Sequence, residues 1–238
     1  MNAAIARLRR EDAGFGLPEL LISIFLFSVV TALVLTLVTN FSRSFTRERS
    51  AVDSTNTAAI GMNELTRVIR SGTEIRQDGT DNLPVLLEAR PDDITLHAFL
   101  DTDSMNPRPI KVRFRIDENR QLIEERWNAD AGSAPYWTFG SPTRPPDSSR
   151  PVARQIPEDS PALFRYRSST VCAPASPNCN VLAPPAGGAL NLNARQQVAV
   201  IEIRLNVQAD PTGRAAPVTI ENQVGLPNLG IDRVGAAL

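Results

Sequence analysis

An uncharged apolar run near the N-terminus, residues 20–42, constrains this chain more than any other feature. It reads LLISIFLFSVVTALVLTLVTNFS. Its 23 residues exceed the roughly 20 that an α-helix needs to cross the hydrocarbon core of a bilayer. A helix buried in a soluble protein is rarely apolar on every side for so long. The run therefore predicts a membrane-spanning helix.

The charges that flank this run do not decide its orientation. Before it lie Arg7, Arg9, Arg10, Glu11 and Asp12, and after it lie Arg43, Arg47, Glu48 and Arg49. The positive-inside rule compares the Lys and Arg residues on the two sides, and here they are nearly balanced. Orientation must come from another feature.

Glu19 stands at the start of the apolar run. A carboxylate at the centre of a span costs about 2.5–3.5 kcal/mol, so an acid inside a membrane normally has a partner. At the membrane interface the cost is small and no partner is needed. The spacing alone leaves both interpretations of Glu19 open.

The string from Gly14 to Ile22, GFGLPELLI, resembles the class III signal of type IV prepilins. The resemblance implies that a prepilin peptidase cuts between Gly14 and Phe15, and that Phe15 is then N-methylated. Glu19 becomes the fifth mature residue, where it pairs with the Phe15 amine of its own or an incoming subunit. Gly16 and Pro18 depart from the family, which more often has Ser or Thr and an aliphatic residue. A proline is tolerated in the first helical turn.

The same resemblance implies a domain plan: a leader at residues 1–14, a transmembrane helix at 15–42, its extracytoplasmic half at 43–72 and a β-rich head at 73–238. The N-terminus would be cytoplasmic and the head would lie outside the inner membrane. Size and order resemble minor pilins and J-type minor pseudopilins. The implied partners are prepilin peptidase, other pilin or pseudopilin subunits and an inner-membrane assembly platform. The filament would be a type IV pilus, a competence filament or a type II secretion filament. The alternative is a single-pass, membrane-anchored extracytoplasmic binding protein.

Helical periodicity continues beyond the apolar run. Apolar residues recur at intervals of 3, 4 or 7: Phe41, Phe45, Val52, Ala59, Met62, Leu65 and Ile69. They predict one face of a helix whose second half packs on the head. Gly72 is a typical C-terminal stop. The pattern favours one helix over residues 15–71; the alternative is two helices broken near residues 43–50.

The rest of the chain shows the period of two that is typical of strands. We predict strands at residues 84–88, 93–100, 110–116, 121–127, 163–167, 198–207 and 218–224. The strands at residues 110–116 and 121–127 form a hairpin through the turn at residues 117–120, and the last two strands pair with each other. Residues 128–161 and 172–188 are predicted loops, because they are rich in Pro, Ser and Gly. The predicted fold class is α+β, with an antiparallel sheet packed on the C-terminal half of the long helix.

Cys172 and Cys179 lie seven positions apart in the second predicted loop. If the region is exported to an oxidising compartment, they would close a small disulfide ring. The alternative is two unrelated thiols.

Other chemistry finds little support in the sequence. His97 is the only histidine, and no nucleophile motif accompanies it. Residues 101–106 faintly resemble a calcium loop, but Met105 and Asn106 replace the expected ligand and glycine. The arginines are scattered among acids, and the net charge is −1. We expect no catalytic residue, no cofactor and no metal, and no nucleic-acid partner unless the filament takes up DNA.

Overall fold

The structure is a computed structural model that describes residues 16–77, 79, 82–100, 108–130, 136–141, 143–176, 178–208 and 216–226. Contacts between residues divide the chain into two compact units, Met1–Arg49 and Ser50–Leu238. We call them the N-terminal unit and the head unit. Part of the long helix belongs to each.

This helix, α1, spans Leu17–Arg70, with 54 residues. The alternative of two helices broken near residues 43–50 is therefore wrong. The helix ends where the Gly72 N–H donates to the Ile69 carbonyl at 3.0 Å. Arg67 and Arg70 lie in the last turn, where positive charge stabilises the C-terminal end of a helix dipole.

The face of α1 that is buried in the head unit includes Met62, Leu65 and Ile69 of the predicted stripe and differs from the stripe elsewhere. It consists of Ser54, Ala58, Gly61, Met62, Leu65, Val68 and Ile69. Val52 was placed on this face, but its side chain is 57% exposed. Ser54, Ala58 and Gly61 were missed because residues this small give a weak apolar pattern in the sequence. Their small side chains let neighbouring strands approach the helix closely. A Cβ on Gly61 would lie 3.1 Å from Leu205 Cδ2 and 3.3 Å from Ala153 Cβ.

The first sheet contains five antiparallel strands in chain order. They are β1 Leu86–Ala89, β2 Asp93–Ala98, β3 Ile110–Ile116, β4 Leu122–Asn128 and β5 Ser148–Ala153. The β3–β4 hairpin is confirmed, with Ile116 opposite Leu122. Strand β5 lies within residues 128–161, which were predicted to form a loop. The loop prediction is therefore wrong for residues 148–153. Pro151 is acceptable in β5 because this strand forms an edge of the sheet.

The second sheet contains β6 Phe164–Ser168, β7 Val181–Leu182, β8 Val198–Val207 and β9 Val218–Gly225. Their order across the sheet is β7-β6-β8-β9. The predicted pairing of the last two strands is confirmed, with Val207 opposite Val218. Strand β7 and the short helix α2, Leu192–Gln196, were not predicted. Asn191 caps α2 by accepting a hydrogen bond from the Ala194 N–H.

Hydrogen bonds at the β1–β2 turn join the two sheets. The Pro91 carbonyl accepts from the Phe164 N–H at 2.8 Å, and the Arg90 carbonyl accepts from the Tyr166 hydroxyl at 2.6 Å. Side chains of the head-unit part of α1 and of both sheets share one hydrophobic core. The α+β prediction is confirmed: a long apolar helix is followed by antiparallel sheets packed against its C-terminal part.

Candidate functional site

The first turn of α1 contains the predicted assembly residue. Glu19 Oε2 accepts a hydrogen bond from the Gly16 N–H at 3.0 Å. The Leu20 N–H donates to the Gly16 carbonyl at 3.2 Å, which makes Gly16 the N-cap of the helix. Glu19 is then the third helical residue. Gly14 and Phe15, the predicted cleavage pair, lie outside the described residues.

In the N-terminal unit the large apolar side chains of α1, from Leu17 to Phe45, are exposed on all sides of the helix. The exposed fraction runs from 42% at Val29 to 76% at Leu17. Within the described part of the chain, α1 is the one helix that is long and apolar enough to cross a membrane. An exposed surface of this kind requires an apolar environment, and a bilayer core provides one.

Hydroxyl groups in the same segment are satisfied within the helix. The Thr31 hydroxyl donates to the Phe27 carbonyl at 2.8 Å, and the Thr36 hydroxyl donates to the Ala32 carbonyl at the same distance. The hydroxyls of Ser23, Ser28 and Thr39 also donate to carbonyls three or four residues earlier. Because an unpaired hydroxyl is costly in an apolar medium, these bonds let polar residues occupy a membrane helix.

Two stacked phenylalanine rings lie at the C-terminal end of the apolar segment. The rings of Phe41 and Phe45 stack with centroids 6.4 Å apart, and the Arg49 guanidinium lies 5.5 Å from the Phe45 centroid. The sequence placed Phe41 and Phe45 on the same helix face as Met62 and Leu65. In the structure they are 72% and 52% exposed.

Cys172 and Cys179 form the predicted disulfide, with their Cα atoms 5.6 Å apart. The ring lies in the connection between β6 and β7. Arg167 supports the base of this connection, since its guanidinium donates to Asn180 Oδ1 at 2.9 Å and to Glu202 Oε1 at 2.5 Å. Val171, beside the ring, is 94% exposed, so the ring is a surface feature.

His97 is a core residue and is not placed for catalysis. It is only 1% exposed, and its ring stacks on Phe139 at 4.8 Å. Nδ1 lies 3.0 Å from the Pro84 carbonyl. Burial lowers the pKa of His97 to about 4, although the Pro84 hydrogen bond raises it, and nearby Lys111 lowers it further. The imidazole is therefore neutral near pH 7.

Metal ligands do not gather in the described residues, where no group of three or more His, Cys, Asp or Glu side chains is close enough to hold an ion. The weak calcium-loop resemblance falls on residues 101–106, which lie outside the described residues.

An ion-pair cluster around the buried Glu124 was not predicted from the sequence. Glu124 on β4 is 0% exposed and pairs with Arg126 and Arg150, each at 2.6 Å. Glu64 on α1 pairs with the same two arginines at 2.8 Å and with Arg67 at 2.6 Å. Burial tends to raise the pKa of Glu64, but these arginines lower it overall. No spacing rule could have found the cluster, because its members come from three elements.

The comparisons with known proteins bear on the N-terminus. The prokaryotic N-terminal methylation motif matches residues 9–35, a small part of the chain. No curated protein matches the chain. The matched segment includes the Gly14-Phe15 pair, Glu19 and the first turns of α1, so the resemblance to prepilins is confirmed there. The chain thus carries a type IV prepilin-like signal ahead of an α+β architecture of pilin-like type.

Proposed function

We propose that the protein is a minor pilin or pseudopilin, a structural subunit of a type IV pilus, a competence filament or a type II secretion filament. The observation that carries this proposal is the methylation motif at residues 9–35, which includes the start of the exposed apolar helix α1 and precedes a β-rich head. Its role would be structural rather than catalytic. Enzymes would cleave and methylate its N-terminus, and its own side chains would then serve filament assembly.

Processing would begin with prepilin peptidase, which removes residues 1–14 and leaves Phe15 as an N-methylated first residue. Gly14 suits the cut since it has no side chain to hinder the approach of a protease. Cleavage there leaves the apolar segment in the mature protein, unlike the cleavage of a secretory signal peptide.

The chain would be a single-pass inner-membrane protein before assembly. Residues 15–42 would span the membrane, residues 43–72 would form the extracytoplasmic half of the helix, and residues 73–238 would form the head. A cytoplasmic leader places the head outside the membrane, and the Cys172–Cys179 disulfide suits an oxidising compartment.

Assembly would use the Glu19 carboxylate as the partner of a Phe15 amine. In an apolar environment an unpaired cation is costly, so this pair favours docking of one subunit beside another. The proposed partners are other pilin or pseudopilin subunits and an inner-membrane assembly platform. DNA would be a partner only in a competence filament.

The test is mass spectrometry of the N-terminus after co-expression with a prepilin peptidase. We expect the mature chain to begin at N-methylated Phe15, and the Gly14→Val variant to insert into the membrane without being cleaved. A mature chain that still carries residues 1–14 would favour the alternative, a single-pass anchored binding protein. A mature chain cut after the apolar segment would also contradict the proposal.

A further inference from the structure

The first turn of α1 is capped by one side chain. Gly16 is the N-cap and Glu19 is the third helical residue, and the Glu19 Oε2 to Gly16 N distance is 3.0 Å. A Glu at this position that reaches back to the N-cap N–H forms one half of a capping box. The other half is missing, because glycine has no hydroxyl to offer to the first-turn N–H groups.

The neighbouring residues give the helix start little support. Pro18 has no N–H, and a proline disfavours the helical conformation of the residue before it, here Leu17. Leu17 is nevertheless the first residue of α1. Among the described residues, Glu19 is therefore the only side chain that holds the N-cap in place.

We propose that Glu19 is a positioning residue that fixes the first residue of α1 through the Gly16 N–H, and that this task needs a hydrogen-bond acceptor but no negative charge. Oε2 performs it, whereas Oε1 accepts no hydrogen bond among the described residues. The functional consequence rests on the proposed function. If Phe15 is the mature N-terminus, it directly precedes the capped residue, and Oε1 of the same chain is available to its amine.

Two substitutions of Glu19 separate capping of the Gly16 N–H from the effect of the negative charge. The Glu19→Gln variant keeps an acceptor and loses the charge, whereas Glu19→Val loses both. Capping boxes accept Gln as well as Glu. Glu48→Val is the matched control, since it removes a carboxylate from an exposed position in the interior of α1.

The experiment measures hydrogen exchange at the Gly16 amide by NMR, using the ¹⁵N-glycine-labelled full-length precursor in detergent micelles at neutral pH. Losing a helix cap should speed exchange about fivefold in Glu19→Val. Glu19→Gln should stay within about twofold of the wild type, and so should Glu48→Val.

Two results would overturn the inference. Unchanged Gly16 exchange in Glu19→Val would show that the hydrogen bond does not hold the N-cap. Equally fast exchange in Glu19→Gln and Glu19→Val would show that the charge is what acts. Because the precursor is studied without peptidase, a failure of cleavage would count against the proposed function alone.

Discussion

The N-terminal unit and the head unit satisfy their side chains in opposite ways. In the first, large apolar side chains such as Leu17 and Phe27 are more than 70% exposed, and hydroxyls bond to their own helix. In the second, core residues such as Leu65 and Phe114 are buried, and charged groups such as Glu124 find partners on other elements. One helix runs through both units, so helical periodicity alone does not reveal what a residue will contact. The predictions below test whether stability resides in the head unit.

The largest effect should come from acid acting on His97. Its pKa is about 4 in the folded protein and about 6.5 in an unfolded chain. Between these values the unfolded state binds more protons than the folded state. The contribution of neutral His97 to the free energy of unfolding is therefore fully present above pH 6.5 and is lost as the pH falls towards 4. The loss should approach about 3 kcal/mol.

Urea unfolding of the full chain in micelles at pH 7.5 and pH 4 measures this effect. Because the lowered pKa of Glu64 also makes acid destabilising, His97→Gln is the control. It should remove most of the difference that wild type shows between the two pH values. An equal acid effect in both proteins would mean that His97 is not the group responsible.

Gly61→Leu should have the next largest effect. The added side chain would meet Leu205 and Ala153, where a Cβ alone already comes within 3.3 Å. Overpacking should cost about 2 kcal/mol net of the better helix propensity of leucine. The matched variant is Ala32→Leu, at an exposed position of the N-terminal unit. Equal urea midpoints for the two variants would break the contrast between the units.

Opening the Cys172–Cys179 ring should matter less. The chain-entropy estimate for such a short loop is about 2.5 kcal/mol, but the ring is exposed, so we expect a global loss of only about 1 kcal/mol. The double variant Cys172→Ser/Cys179→Ser and the reduced wild type should show the same small shift in urea midpoint. A shift as large as that of Gly61→Leu would mean that the ring supports the core.

The smallest effect should come from Thr36→Val in the N-terminal unit. Within the described part of the chain, the Thr36 hydroxyl donates to the Ala32 carbonyl of the same helix and to no other group. Its loss should change head stability by less than about 0.5 kcal/mol. Retention in the membrane after alkaline extraction should be equal or greater, because valine is more apolar. A destabilised head would contradict the separation between the two units.

The sequence predicted those features that follow a strong local pattern. Strand β8 was predicted with its observed bounds, because its buried positions Ile201, Ile203 and Leu205 alternate strictly with polar ones. Strand β5 was missed, because Ser148–Ala153 has no such alternation and contains a proline. Its place is set by pairing with β4, which only the folded chain reveals.

In the candidate site, too, features with a local sequence motif were predicted and features that depend on the folded chain were not. Glu19 was predicted from the motif. Its backbone partner, the Gly16 N–H, was not predicted, because the predicted helix began at residue 15 and already included Gly16, whereas α1 begins at Leu17. The ion pairs of Glu64 with Arg126 and Arg150 could not be predicted, because they depend on how β4 and β5 lie against α1 in the folded head unit.

The central claim is that the N-terminal unit serves assembly, and sheared filaments test it most directly. Wild type, Glu19→Val and Glu19→Gln should be expressed with the remaining filament components, then compared in the membrane and sheared fractions. We expect all three in the membrane and only wild type in filaments, because both variants would lack the carboxylate that we propose as the partner of the Phe15 amine. Equal amounts of all three in the sheared fraction would contradict the account.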